Sequence, residues 1–156
     1  MTFVNRKGNL NAQLHGNALT GTFDVLHYWK NRTYFVKGSA IFSHVTGTQE
    51  KILDTQTSFE HLFQRPNVSI DASRTSLTGT GGTFRIGKSG GKGGDKGQVL
   101  IFDTGVTLRS PELELNDLGF MQTANEINHF TWIGLRYPKS VGTFRNARIN
   151  YNHYSK

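Results

Sequence analysis

Leu19, Gly21, Phe23, Val25 and Trp29 alternate with Thr20, Thr22, Asp24 and Tyr28, so one side of this stretch is apolar and the other polar. A period of two belongs to a β-strand, because successive side chains of an extended backbone point to opposite faces. The period returns after Lys30-Asn31-Arg32, where Tyr34, Val36, Ala40 and Phe42 oppose Thr33, Lys37, Ser39 and Ser43. Ala18 to Trp29 and Thr33 to Thr46 therefore form a predicted hairpin around a tight connection. Further strands are predicted at Thr75 to Gly87, which is Gly-rich and weakly patterned, and at Gln98 to Arg109, where Leu100, Phe102, Val106 and Leu108 oppose Asp103, Thr107 and Arg109. Ile127 to Tyr137 and Thr143 to Tyr154 form the last hairpin. The expected fold is all-β, an antiparallel meander of about six long strands, preceded by the tail of an earlier strand at Thr2 to Arg6.

The intervening segments sort by length. Arg6 to Asn17, Gly47 to Arg74 and Ser110 to Glu126 are long, and the second includes an expected helical turn near Ser58 to Gln64. Lys30 to Arg32, Lys88 to Gly97 and Pro138 to Gly142 are shorter and basic. No apolar run approaches the roughly 20 residues of a membrane-spanning helix, which leaves only the β-barrel route across a bilayer. Alternating long and short connections belong to an outer-membrane barrel, with short periplasmic turns and longer extracellular loops. In the last predicted strand Asn146, Arg148, Asn150 and Asn152 make one row, suited to a wet lumen, and Ala147, Ile149 and Tyr151 the other. Tyr28, Trp29, Tyr34, Tyr137 and Phe144 flank the short turns, at the depth of an interfacial aromatic girdle.

Several stretches resemble a known family. Ser110, Pro111, Glu112, Leu113, Glu114, Leu115, Asn116, Asp117, Leu118, Gly119 and Phe120 form a run similar to the signature of an outer-membrane β-barrel domain of Gram-negative bacteria. That domain has no assigned activity and usually follows a carbohydrate-binding family 9-like module. Thr2-Phe3-Val4-Asn5-Arg6, His61-Leu62-Phe63-Gln64-Arg65-Pro66 and Thr75-Ser76-Leu77-Thr78-Gly79 fit the same family. The resemblance implies an outer-membrane location, contact with the bilayer and lipopolysaccharide, and a partner in the remainder of a parent barrel; a glycan partner would come through the carbohydrate-binding module. Met1 is followed by Thr-Phe-Val-Asn-Arg rather than by a signal peptide, so residues 1–156 are expected to be a partial domain, truncated at both ends.

Other chemistry finds little footing in the residues. Lys plus Arg exceed Asp plus Glu, giving a net charge of +7, but the cations gather at turns, where solvated hairpin tips are expected rather than a nucleic-acid groove. Gly82 to Ser89 satisfies the G-x-x-x-x-G-K-[ST] pattern of phosphate-binding loops. The glycines that follow cannot open the helix such a loop requires. Glu112, Glu114, Asn116 and Asp117 could supply oxygen ligands to calcium or carboxylates for acid–base work; a solvated loop edge above tucked leucines is the plainer reading. The histidines at 15, 27, 44, 61, 129 and 153 lack zinc-motif spacing. Ser110, His129 and Asp117 can be assembled into a triad only on paper, since no nucleophile elbow surrounds the serine. With no cysteine, thiolate sites and disulfides are excluded. No cofactor, metal or catalytic activity is expected, and the role read from the sequence is structural, as pore or scaffold. The alternative is a soluble β-sandwich or barrel that binds glycan or single-stranded nucleic acid on exposed Trp29, Trp132 and tyrosines.

Overall fold

The computed structural model describes residues 1–8, 14–61, 68–91, 98–140 and 142–156. The alternating stretches form seven strands: β1 (Thr2–Asn5), β2 (Asn17–Trp29), β3 (Tyr34–Thr46), β4 (Ser76–Lys88), β5 (Val99–Arg109), β6 (Glu126–Tyr137) and β7 (Ala147–Ser155). They make one antiparallel meander sheet in chain order, with β1 and β7 at its edges and no closure into a barrel. The Lys30-Asn31-Arg32 connection between β2 and β3 holds three successive non-glycine residues in the left-handed region, at φ 49, 53 and 61. Such angles match the twist of a tight hairpin, and Trp29 stacks on Tyr34 at 5.6 Å across its base.

One expectation is extended and one is corrected. The long connection holds α1 (Gln49–Thr57), a helix not expected from the sequence, directly before the expected turn. Thr48 caps α1 by accepting from Lys51 N, and Ser58 ends it in extended backbone. Of the turn expected near Ser58 to Gln64, Ser58 to His61 do turn, His61 N donating to Ser58 O at 3.1 Å, while Leu62 to Gln64 lie outside the described residues. The last strand begins at Ala147 rather than Thr143, because Gly142 turns the chain at φ 58 and Phe144 makes only an isolated bridge. Asn146 thus precedes β7. The contrast between connections is sharp for 30–33 against 47–75 and weak for 6–16 against 89–98.

The chain divides into two units. Unit 1 contains Met1–Phe23, Ala40–Gly82 and Leu108–Ile127, and with them all three long connections; unit 2 contains Asp24–Ser39, Thr83–Thr107 and Asn128–Lys156, with the short ones. In unit 1, one face of the strands is covered. Ala18, Val45 and Leu77 pack with Ile52 of α1 and with Leu118, while Leu113, Met121 and Ala124 pack with Ile41 and Leu115. Burying a side chain such as Ile52, Leu77 or Leu113 is worth about 1.5–3 kcal/mol. The opposite face of the same strands leaves Phe3, Phe23, Phe42, Leu108 and Ile127 exposed, Phe23 by 69%.

Among its described residues, unit 2 repeats the division without a cover. On one side Tyr28 meets Phe35, Arg85 pairs with Asp103, its guanidinium lies 5.2 Å over the Phe130 ring, and Arg148 lies 5.7 Å over Trp132. The other side carries Val25, Phe84, Ile86, Leu100, Ile133, Ile149 and Tyr151, all exposed, with Ile149 at 63%. Leu26, Tyr28 and Tyr154 are exposed apolar side chains on the polar side.

Candidate functional site

The best-organised polar cluster lies in unit 1, where the long connections meet. Asp117, on the 110–125 connection, takes Arg6 Nη1 on Oδ1 at 2.7 Å and His15 Nδ1 on Oδ2. Arg6 Nη1 also donates to His15 O at 2.9 Å. The second imidazole nitrogen, Nε2, lies 2.9 Å from Thr55 Oγ1 of α1, and that hydroxyl donates to Lys51 O one helical turn back. A second chain runs beside the first. Ser58 Oγ is 3.1 Å from His61 Nδ1, and His61 Nε2 donates to Leu113 O at 3.0 Å with Glu114 Oε2 3.5 Å away. Glu114 N donates to Ser43 Oγ of β3, and Glu114 Oε1 accepts from Asn116 N. Both chains border a cavity of about 280 Å³ lined by His15, Lys51, Thr55, Ser58, Glu114 and Asp117, among others.

Hydroxyl, imidazole and carboxylate in this order also make up a nucleophile, a base and its orienting group. Here Thr55 is 5% exposed and its hydroxyl is engaged by Lys51 O. The physical work of the chain is fastening: one carboxylate holds the segment after β1, the segment before β2 and, through His15, the face of α1. Burial pushes the Asp117 carboxyl upward, but the hydrogen bond and charge of His15, and then those of Arg6, outweigh it and hold the group below its usual value.

A sign follows for stability. A carboxyl lowered in the folded state contributes stability that is complete well above 3.8, its ordinary value, and is lost as the pH falls from there through the lowered value. Acid titration of denaturation midpoints should therefore show unit 1 weakening below about pH 4. Asp117→Asn should lower the midpoint at neutral pH and flatten that acid limb. An unchanged acid limb would refute the clamp.

The signature run is almost wholly structural. Ser110 exchanges two bonds with Thr80, its N–H donating to Thr80 O and its Oγ accepting from Thr80 N, and Ser110 O accepts from Leu113 N and Asn125 N. Pro111 and Glu112 make the turn that drops Leu113 into the core. Asn116 Oδ1 accepts from Met121 N, Leu118 packs on the first cluster, and Phe120, after Gly119, is 81% exposed. Glu114 and Asp117 point to different partners, and among the described residues no group of three His, Asp or Glu could hold a metal. The paper triad is not assembled: Ser110 serves Thr80, Asp117 serves His15 and Arg6, and His129 lies by Thr104 and Thr131. Gly82 to Lys88 is strand, as its interior residues imply, and Lys88 lies 6.0 Å from the Tyr34 ring.

The stretches that suggested a family do meet. Arg6 reaches Asp117, His61 reaches Leu113 and Glu114, and Gly79 lies against the backbone of Glu112 and Leu113. The part of the His61 stretch from Leu62 to Pro66 lies outside the described residues. Arg6, Ser43 and Thr55 were not singled out from sequence as members of this cluster, and no local pattern marks them. No family model, characterised protein or solved structure matches the chain.

Proposed function

We propose that this chain is a section of an outer-membrane β-barrel with a pore or scaffold role and no catalytic activity. Its apolar face meets lipid, its polar face meets the lumen, and the 110–125 connection folds inward. One observation carries the reading: in each unit, among the described residues, one face of the strands leaves large apolar side chains exposed, Phe23, Phe42 and Leu108 in unit 1 and Phe84, Leu100, Ile133 and Ile149 in unit 2. A soluble sandwich covers such a face with a second layer, whereas hydrocarbon covers it without one. The polar face supports the same assignment, since Arg85 with Asp103 and the row Arg148, Asn150 and Asn152 suit water. On this reading Trp29, Tyr34 and Tyr137 belong to the lipid-side girdle, while Tyr28 lies on the lumen side of β2, against Phe35. The bilayer, lipopolysaccharide and the remaining strands of a parent barrel are then the partners, as the resemblance of the signature run also implies.

The test is solubility. The sheet has two edge strands, and the described residues of each unit leave an apolar face exposed, both of which promote association in water. Size-exclusion chromatography after refolding should give aggregates in plain buffer and a single β-rich species in detergent micelles. A stable, sharply unfolding monomer in buffer would reject the barrel and favour a soluble binding module.

A further inference from the structure

The last hairpin has an unusual charge. Residues 127–156 include Arg136, Lys139, Arg145, Arg148 and Lys156 and no Asp or Glu. The register then sets two of these cations against each other, for Arg136 is the direct cross-strand partner of Arg148. Directly opposed residues of an antiparallel pair share a face with Cα atoms about 4.5–5.5 Å apart, and like charges so placed repel. Among the described residues no carboxylate pairs with either guanidinium.

The surroundings hold Arg148 in place. Its Nε donates to Asn150 Oδ1 at 2.9 Å, and its guanidinium lies 5.7 Å over the Trp132 ring. Trp132 can lie there because Gly134, between Trp132 and Arg136 on that face, has no side chain: a Cβ would come within 2.7 Å of Trp132 Cη2. A stacked guanidinium with one N–H engaged retains further donors on its outer edge, fixed in the planar fork that matches an oxyanion.

We infer that Arg136 and Arg148 form an oxyanion-binding site, which takes a phosphate, sulfate or carboxylate group, either as the free anion or carried by a small solute. The bound anion offsets the like charges of two residues that the register sets opposite each other and accepts charge-assisted hydrogen bonds from both. The site depends on the register and charge of one hairpin, so it stands whether the apolar face meets lipid or protein. If the hairpin lines a lumen, the same pair draws anionic solutes to the wall.

The experiment uses the full chain, folded in micelles or buffer as it requires, with Trp29→Phe so that Trp132 is the sole indole. Inorganic phosphate and glucose 6-phosphate replace chloride at constant ionic strength while Trp132 emission is followed. A saturable change is expected with phosphate; tighter binding of the sugar phosphate would assign the site to organic solutes, and equal binding to the free anion. Arg148→Gln and Arg136→Gln should each weaken binding about tenfold, the loss of one charged hydrogen-bonding partner. Arg148→Lys should weaken it nearly as much, because an ammonium lacks the fork, and Arg145→Gln should change it less than twofold. No saturable change overturns the inference. So does an equal loss in Arg145→Gln and Arg148→Gln, which would leave only diffuse attraction to a basic hairpin.

Discussion

Gly79→Val should release the 110–125 connection from the sheet and cost about 3 kcal/mol or more, the range for losing a fully buried leucine. A Cβ on Gly79 would fall inside the contact radius of Leu113 N, Leu113 Cα and the Glu112 carbonyl carbon. These are backbone atoms, so no side-chain rotation makes room, and Leu113, 0% exposed, must leave its place. Valine itself suits a strand, which isolates the collision as the cause. Gly38→Val in β3 is the control, since a Cβ there meets nothing within 4 Å. Hydrogen exchange and denaturation midpoints should show the Leu113 amide, bonded to Ser110 O, losing protection in Gly79→Val. Retained protection with an unchanged midpoint would refute the packing described for this connection.

The same glycine explains what sequence reading could and could not reach. The meander was legible because β2, β3, β5 and β7 alternate side by side, and period two needs no knowledge of tertiary partners. β4 was weakly patterned for a reason visible only in three dimensions: Gly79 and Gly81 yield space to Leu113, and Gly87 to the Phe35 ring. Helix α1 goes unannounced in the sequence because little in it is amphipathic. Its buried residues are Ile52, Thr55 and Gln56, and Gln56 earns its position by exchanging hydrogen bonds with the Asp71 backbone. The Asp117 clamp joins residues 102 and 111 positions apart, so no local spacing announces it. Asp117 stood out through the signature run, which located the cluster without disclosing that its role is to hold connections together.

The second large effect separates the two faces of β7. Ile149 is the cross-strand partner of Leu135, and Asn150 that of Gly134, so adjacent residues of one edge strand sit on opposite sides of the hairpin. Both are exposed, so in water an arginine at either position should be tolerated alike. In a bilayer the positions diverge. An arginine on a lipid-facing site costs about 2–4 kcal/mol near the midplane, while a wet lumen imposes far less. On the proposed barrel reading, Ile149→Arg should therefore deplete the folded, heat-modifiable band of the parent protein on a gel, by roughly 30-fold or more in the folded-to-unfolded ratio at 2 kcal/mol. Asn150→Arg should leave the band in place, although it adds a third cation beside Arg136 and Arg148. The arginine on the face that already carries cations is thus the harmless one, an order that a purely electrostatic account would reverse. Equal tolerance of both substitutions would mean that the face bearing Ile149 does not meet lipid, and the barrel assignment would fall with it.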